Sequence, residues 1–121
     1  ITEYDGRHIP YPDNSFDTVM IVDVLHHDTD PLSVLREAQR VAKKTIIIKD
    51  HYWKSLVGFK LLKYVDYLGN KPYDVALPYN FLRLEKWQKL FTELGLSVTS
   101  EELFRYNLFD PCRHVLYVLE T

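Results

Sequence analysis

The feature that most constrains the fold is an apolar run that lies between an Asp-rich loop and a pair of histidines. Residues Phe16 to Leu25 include one run of large apolar side chains: Val19, Met20, Ile21, Val22, Val24 and Leu25. In a strand these side chains point to both faces, which is typical of a strand buried on both sides in a parallel sheet. We therefore predict that Phe16 to Leu25 is a central strand of an α/β sheet.

The residues after this run predict a helix and then a second parallel strand. Asp30 and Pro31 supply an N-cap and a first-turn proline. Apolar residues then recur at steps of three or four, which predicts an amphipathic helix with Arg36 and Arg40 on its solvated side. The apolar positions are Leu32, Leu35, Ala38, Val41 and Ala42. Thr45 to Lys49 reads as the next strand, so the segment predicts a right-handed βαβ unit.

Polar side chains follow both predicted strands. His26 and His27 come after the first strand, and Asp50 and His51 come after the second. Because the carboxyl ends of parallel strands share one edge of a sheet, we expect these side chains to converge on one crevice.

The second half of the chain predicts two helices and a hairpin. The first helix begins near Lys54, ends at Gly69, and is predicted to turn one apolar face inward: Val57, Leu61, Tyr64, Val65 and Leu68. An aromatic-rich ordered loop is predicted over Asn70 to Leu82. Leu84 to Leu94 predicts the second helix, and Leu96 to Ser100 and His114 to Glu120 predict paired strands.

The loop before the apolar run carries a specific motif. Residues 5–17 read Asp-Gly-Arg-His-Ile-Pro-Tyr-Pro-Asp-Asn-Ser-Phe-Asp and are followed by the apolar run and His26-His27. This order resembles the class I S-adenosylmethionine-dependent methyltransferases that act on small molecules. The resemblance implies an incomplete Rossmann-like methyltransferase sheet of class α/β, with a parallel βαβ unit, helices and a C-terminal antiparallel hairpin. Residues 1–121 would then be the C-terminal portion of a single methyltransferase domain.

The resemblance implies a cofactor side of the site for S-adenosyl-L-methionine. Asp5 and Gly6 match the positions that contact the adenine ring, while Val22 and Asp23 match those near the methionine end. A carboxylate suits an exocyclic amine as a hydrogen-bond acceptor. Taken without the resemblance, Asp5-Gly6 is ordinary turn chemistry and Asp23 is equally suited to capping a backbone amide.

The resemblance also implies an acceptor side. His26, His27, His51 and Tyr52 would line the substrate pocket, with His27 and His51 as catalytic bases. Methyl transfer gains mainly from holding two partners in line, so packing or orienting roles remain alternatives for each histidine.

The imidazoles and the nearby carboxylates could also hold a metal ion. His-His-Asp-x-Asp is not a recognised ligand spacing, however, and Asp30 suits the N-cap of the helix. No metal site is therefore predicted.

Part of the expected cofactor site is not found in this sequence. The four glycines, at positions 6, 58, 69 and 95, form no G-x-G-x-G turn, and the first residue is not methionine. We expect a piece of a longer polypeptide that is inactive alone. The edge of the strand Phe16 to Leu25 would then be exposed, which predicts self-association or pairing with a partner.

Charge and composition limit the alternatives. A net charge of −2 and a pI near 6.2 disfavour nucleic acid as a partner. A single cysteine, Cys112, and the lack of a long apolar run favour a cytoplasmic protein without a membrane span. The aromatic-rich stretch Tyr64 to Phe81 would cover much of the acceptor, which favours a small molecule that is apolar or ring-bearing. Two rivals remain: a non-catalytic methyltransferase-like module for dimerisation or docking, and a nucleotide-dependent oxidoreductase of another doubly wound fold.

Overall fold

The computed structural model describes residues 2–53, 55–70 and 81–121. In chain order the elements are strand β1 (Phe16–Val22), a 3-10 turn (Leu25–His27), helix α1 (Pro31–Val41), strand β2 (Ala42–Tyr52), helix α2 (Leu56–Asn70), helix α3 (Leu84–Glu93), strand β3 (Ser97–Phe104) and strand β4 (Arg113–Glu120).

The strands of these ranges form one four-stranded sheet in the order β1-β2-β4-β3. β1 pairs in parallel with β2, and Ile21 lies opposite Ile48. β4 pairs antiparallel with both β2 and β3. The predicted fold class is confirmed, because a parallel βαβ unit is followed by helices and a C-terminal antiparallel hairpin.

The main core lies on one face of this sheet. Leu35 of α1 and Trp87 of α3 pack with alternate residues of β2 and β4, such as Ile48 and Tyr117. Both helices therefore cover the same face. The alternation of buried and part-exposed residues along β4 is what a sheet covered on one side produces.

The strand β1 is not buried as predicted. It ends at Val22, Leu25 belongs to the 3-10 turn, and the sheet order makes β1 an edge strand instead of a central one. Only Ile21 of this strand is fully buried, whereas Met20 is 64% exposed and Val22 is 47% exposed. The expectation of an exposed apolar edge agrees with this arrangement.

Several element boundaries and faces differ from the sequence predictions. Ala42 begins β2 instead of ending α1, and α2 continues through Gly69 to Asn70. Val57, Tyr64 and Leu68 are exposed, since α2 buries Leu62 against Phe81 and Cys112. Apolar side chains surround most of α2, so their spacing alone could not select the packed face.

The predicted loop over Asn70 to Leu82 lies mainly outside the described residues, which include only its two ends. At the second end, Phe81 is buried and Leu82 forms an isolated parallel bridge with Tyr52. Of the helices in the described ranges, none combines the length and apolar character needed to cross a bilayer.

Candidate functional site

The N-terminal loop that carries Asp5 and Gly6 is held against α1. Glu37 accepts a hydrogen bond from the backbone N–H of Ile9 at 2.8 Å. Arg40 donates to the carbonyl oxygens of Ile9 and Tyr11 and binds Glu37. The prediction that Arg40 lies on a solvated side is therefore wrong, because the loop folds back over that side of α1.

The charges of this anchor stabilise one another. Hydrogen bonds from Arg40 and from the Ile9 amide lower the pKa of Glu37 to about 2. Hydrogen bonds to Glu37 and Asp13 raise the pKa of Arg40 above its ordinary value. The loop therefore has a defined position relative to β1 and α1.

Within this loop Asp5 makes local contacts. Its carboxylate accepts hydrogen bonds from the amides of Arg7 and His8 at 2.8 and 2.9 Å, and these bonds lower its pKa. Gly6 has a φ of +77°, a backbone conformation that favours glycine. Both residues are exposed, so the structure shows a turn that leaves Asp5 and Gly6 accessible to a ligand.

A groove of about 320 Å³ runs between this loop and β1. Val22 lines it together with Tyr4, Met20 and Val24. The predicted cofactor-side residue Val22 thus faces an apolar space, while Asp23 lies next to it in the chain.

Asp23 turns the chain at the end of β1 and forms a strong ion pair. It has a φ of +52°, and its N–H donates to the carbonyl of Lys49 at 2.8 Å. Both carboxylate oxygens lie 2.7 Å from Lys49 Nζ. Burial opposes the charge on Lys49, but the hydrogen bonds to Asp23 and Tyr106 are stronger and raise its pKa. Asp23 is therefore already neutralised by a buried cation.

The structure brings His26, His27 and His51 together at the carboxyl end of the β1–β2 pair. The ring centres of His26 and His27 are 4.1 Å apart, and those of His26 and His51 are 5.3 Å apart. Phe81 stacks on His26 at 4.9 Å. The expected convergence at this edge is therefore observed, with His26 only 3% exposed beneath the ring of Phe81.

Buried Asp50 fixes the orientation of His26. Its Oδ1 lies 2.6 Å from His26 Nδ1 and also accepts the His51 amide, while its Oδ2 accepts the Leu25 amide. Burial opposes the charge of His26, but the contact with Asp50 outweighs it and raises the pKa of His26. Asp50 thus holds both the 3-10 turn and the His26 ring in place.

The second ring nitrogen of His26 is directed toward α2. His26 Nε2 lies 3.3 Å from Asp66 Oδ1, and His27 Nε2 lies 3.8 Å from the same oxygen. Asn70 donates to this oxygen at 2.9 Å. Helix α2 thereby contributes a carboxylate to the histidine cluster.

His51 is the neutral imidazole of the cluster. Its Nδ1 is buried and has no hydrogen-bond partner among the described residues. Burial lowers the pKa of His51 to about 4, despite the nearby carboxylates of Asp23 and Asp50. A neutral imidazole with an unused nitrogen can accept a proton from a bound molecule.

Tyr52 was predicted to line the substrate pocket but lies in the core, whereas His114, which was not predicted, lies beside His51. Tyr52 is 3% exposed and packs in the main core, away from the cluster of histidines. His114, in contrast, stacks near His51 with ring centres 4.6 Å apart and binds Asp110 through Nε2 at 2.7 Å. His114 belongs to β4, which pairs His51 directly with His114.

Three further members of this region were not predicted from the sequence: Lys49, Asp66 and His114. A lysine directly after three isoleucines in a buried strand was the available signal for Lys49, because a buried cation needs a partner. Asp66 and His114 gave no comparable signal. Their placement depends on how α2 and β4 pack against the edge of the parallel pair.

Residues 1–48 of the chain match a family model described as a methyltransferase domain. The resemblance to methyltransferases is confirmed. The matched residues include the loop with Asp5 and Gly6, β1 and the pair His26-His27. No curated protein matches the chain in sequence.

Solved structures of methyltransferases share the fold. A methyltransferase structure from Bacillus halodurans has 16% identity and a TM-score of 0.74, covering 98% of this chain and 69% of its own. An S-adenosylmethionine-dependent methyltransferase from Aquifex aeolicus has 17% identity and a TM-score of 0.63, covering 100% of this chain and 54% of its own.

A third related structure is a complex between a methyltransferase activator from Haloferax volcanii and its methyltransferase. It has 15% identity and a TM-score of 0.67, and the match covers 97% of this chain and 59% of that one. The chain therefore spans from 54% to 69% of the lengths of these three structures. At these low identities the likeness establishes the methyltransferase fold.

Proposed function

We propose that this chain provides the acceptor side and part of the cofactor side of a domain that transfers a methyl group from S-adenosyl-L-methionine to a small molecule. The observation that carries the proposal is the convergence of His26, His27 and His51 at the carboxyl end of β1 and β2, beside the turn at Asp23. Ligands of open α/β sheets bind at this edge. The family match over residues 1–48 supports methyl transfer as the reaction.

On the cofactor side we assign Asp5, Gly6, Val22 and Asp23. Asp5 and Gly6 are exposed on an anchored loop, and Val22 lines the groove beside it. A carboxylate that accepts from the adenine amine must be accessible, and Asp5 meets this condition. The Asp23–Lys49 pair sets the local charge where the methionine end of the cofactor would lie.

On the acceptor side we assign His26, His27 and His51 as lining residues, with His27 and His51 as the candidate bases. His51 has the unused buried nitrogen and a pKa near 4, so it is neutral at physiological pH. His26 is less suited to act as a base, since both of its nitrogens contact aspartates. Tyr52 would act only by supporting β2 from the core, which changes the role first expected for it.

We propose that the acceptor is apolar or ring-bearing. We also propose that the protein is cytoplasmic. The aromatic face of Phe81 against His26 supports a ring-shaped acceptor. We also propose that the chain alone is inactive, because it carries no glycine-rich turn to wrap the cofactor.

Titration calorimetry of S-adenosylmethionine and its demethylated product tests this proposal. The titrations compare this chain with a version extended upstream through the native gene. Binding to the extended version, and its loss in Asp5→Ala of that version, are the expected results. Glu93→Gln, an exposed change on α3, is the matched control. A lack of binding to both versions would contradict the proposal.

The exposed edge supports a second candidate function, a non-catalytic module that pairs through β1. Met20 and Val22 expose apolar surface on a strand whose outer edge is unpaired within the described sheet. Exposed apolar edges of this kind promote pairing with another strand. We propose a second copy of the chain as the partner for the isolated chain. Light scattering that shows only monomer at high concentration would contradict it.

A further inference from the structure

Three possible metal ligands lie close together between the 3-10 turn and α2: His26, His27 and Asp66. Nε2 of His26, Nε2 of His27 and Oδ1 of Asp66 are the closest atoms, and one ligand atom from each residue lies within 4.8 Å of the others. Two of the residues are adjacent in a short turn and the third comes from a separate helix. The sequence motif His-His-Asp-x-Asp contains no residue of α2, so this group of ligands is a different one.

The separations suit a metal ion. Two ligand atoms that each lie about 2.1 Å from a tetrahedral zinc ion are about 3.4 Å apart. The distance from His26 Nε2 to Asp66 Oδ1 is 3.3 Å, and that from His27 Nε2 to the same oxygen is 3.8 Å. Both distances to Asp66 Oδ1 therefore lie within about 0.4 Å of the separation expected for two zinc ligands.

The hydrogen bonds around His26 support this reading. Asp50 lies 2.6 Å from His26 Nδ1, so the N–H of that nitrogen donates to Asp50 and the lone pair of a neutral ring is left on Nε2. That lone pair would face the carboxylate of Asp66, and two acceptors at 3.3 Å repel unless a proton or a cation lies between them. A carboxylate behind a ligating histidine is a common partner in metal sites.

Asp66 also has unused ligand capacity. Its Oδ2 is buried without a hydrogen-bond partner among the described residues. The residue lines a cavity of about 150 Å³ that also touches His51 and Phe81. This volume exceeds the share of a few water molecules in the liquid, so there is solvent-sized space on one side of the Asp66 carboxylate.

Asp50 and His51 form another close group with His26, but this group is less suited to a metal. The 2.6 Å contact between His26 Nδ1 and Asp50 is a hydrogen-bond distance, shorter than the separation of two zinc ligands. The amides of His51 and Leu25 occupy both oxygens of Asp50. Asp50 is therefore the residue that orients His26.

We propose that His26, His27 and Asp66 bind a divalent transition metal of the zinc type, with Asp50 orienting His26 and the fourth tetrahedral position left to a ligand from outside the chain. Two imidazoles and one carboxylate favour Zn²⁺ or Fe²⁺ over Mg²⁺. With its Nε2 bound to the metal, His27 would no longer be a candidate base. His51 then remains as the imidazole free to act as a base.

Metal binding can be measured without a methyl donor, so its failure would leave the proposed methyl transfer untouched. The chain is treated with a chelator, exchanged into metal-free buffer and titrated with ZnCl₂ and, separately, MgCl₂ by calorimetry. We expect one zinc ion per chain, no comparable Mg²⁺ binding, and a tetrahedral visible absorption spectrum when Co²⁺ replaces Zn²⁺.

Asp66→Asn and His27→Ala are expected to weaken zinc binding by roughly 100-fold or more, since loss of an outer-shell partner alone costs about 10- to 100-fold. His8→Ala is the matched control, because the His8 side chain is 68% exposed and lies outside the cluster. Circular dichroism and the thermal midpoint show that each variant is folded.

Two results would overturn the proposal. One is zinc binding no tighter than Mg²⁺ binding in the unchanged chain, which would leave a protonated His26 between Asp50 and Asp66. The other is unchanged zinc affinity in folded Asp66→Asn and His27→Ala, which would place the metal outside this group of ligands.

Discussion

Glu37 connects the loop of the cofactor side to α1, and its charge should control the stability of that connection. The pKa of Glu37 falls from 4.5 to about 2 in the folded chain because of Arg40 and the Ile9 amide. This difference corresponds to about 3 kcal/mol. The Glu37 side chain is 18% exposed, so solvent screening reduces the expected contribution to roughly 1–2 kcal/mol.

The sign of the pH dependence follows from the lowered pKa. A carboxylate with a lowered folded pKa contributes its full stabilisation above the unfolded value and loses it as the pH falls toward the folded value. We expect the variant Glu37→Gln to be less stable than the unchanged chain by roughly 1–2 kcal/mol at pH 7. The difference should shrink steadily below about pH 4.5, since protonation of Glu37 also removes its charge.

Urea unfolding followed by circular dichroism at pH 7, 4.5 and 3 measures this difference. Glu93→Gln, on the exposed part of α3, removes a carboxylate elsewhere and should show little effect at any of these values. A stability difference for Glu37→Gln that stays constant from pH 7 to pH 3 would refute the electrostatic reasoning. It would indicate that side-chain packing, instead of charge, carries the effect.

Further predictions concern the core, the exposed edge and the buried lysine. Leu35→Ala, at a fully buried position, should cost about 2–5 kcal/mol in urea unfolding, and a cost under 1 kcal/mol would contradict the core described here. Met20→Lys, on the exposed edge strand, should change stability by less than about 0.5 kcal/mol and reduce self-association in light scattering; unchanged association would exclude β1 as the pairing surface. Asp23→Asn leaves the ammonium of Lys49 without its carboxylate and should cost roughly 1–3 kcal/mol, whereas the double variant with Lys49→Met should recover part of this loss. Equal stability of Asp23→Asn and the double variant would contradict the expected recovery.

The order of elements could be predicted from the sequence because it depends on local rules. Asp30 caps α1 by accepting from the Ser33 amide, as the Asp-Pro pair indicates. The isoleucines at 46 to 48 lie in β2, in parallel register with β1. Gly95, with a φ of +68°, follows the end of α3.

The burial of β1 and the packed face of α2 could not be predicted in the same way. An apolar run shows that a strand suits burial on both sides, but burial itself depends on what packs against it, and Met20 remains exposed. The apolar side chains of α2 occur on most of its surface. The choice of Leu62 as its buried residue is set by the contacts with Phe81 and Cys112.

The histidine cluster could be predicted from the sequence. Of its carboxylate partners, Asp50 could be predicted and Asp66 could not. His26 and His27 follow β1, and Asp50 and His51 lie at the carboxyl end of β2, so the parallel pairing of the two strands brings them to one edge. Asp66 looks like an ordinary solvated residue of a helix in the sequence. Its contact with His26 arises from the position of α2, which no local pattern specifies.

The central claim is that a methyl donor binds between the anchored loop and the end of β1. Hydrogen–deuterium exchange of the upstream-extended protein, with and without the demethylated cofactor, tests this most directly. We expect ligand-dependent protection at Asp5 and Gly6 and at the turn of Val22 and Asp23, with no change in β3. Cofactor binding that protects neither of these two segments would contradict the account.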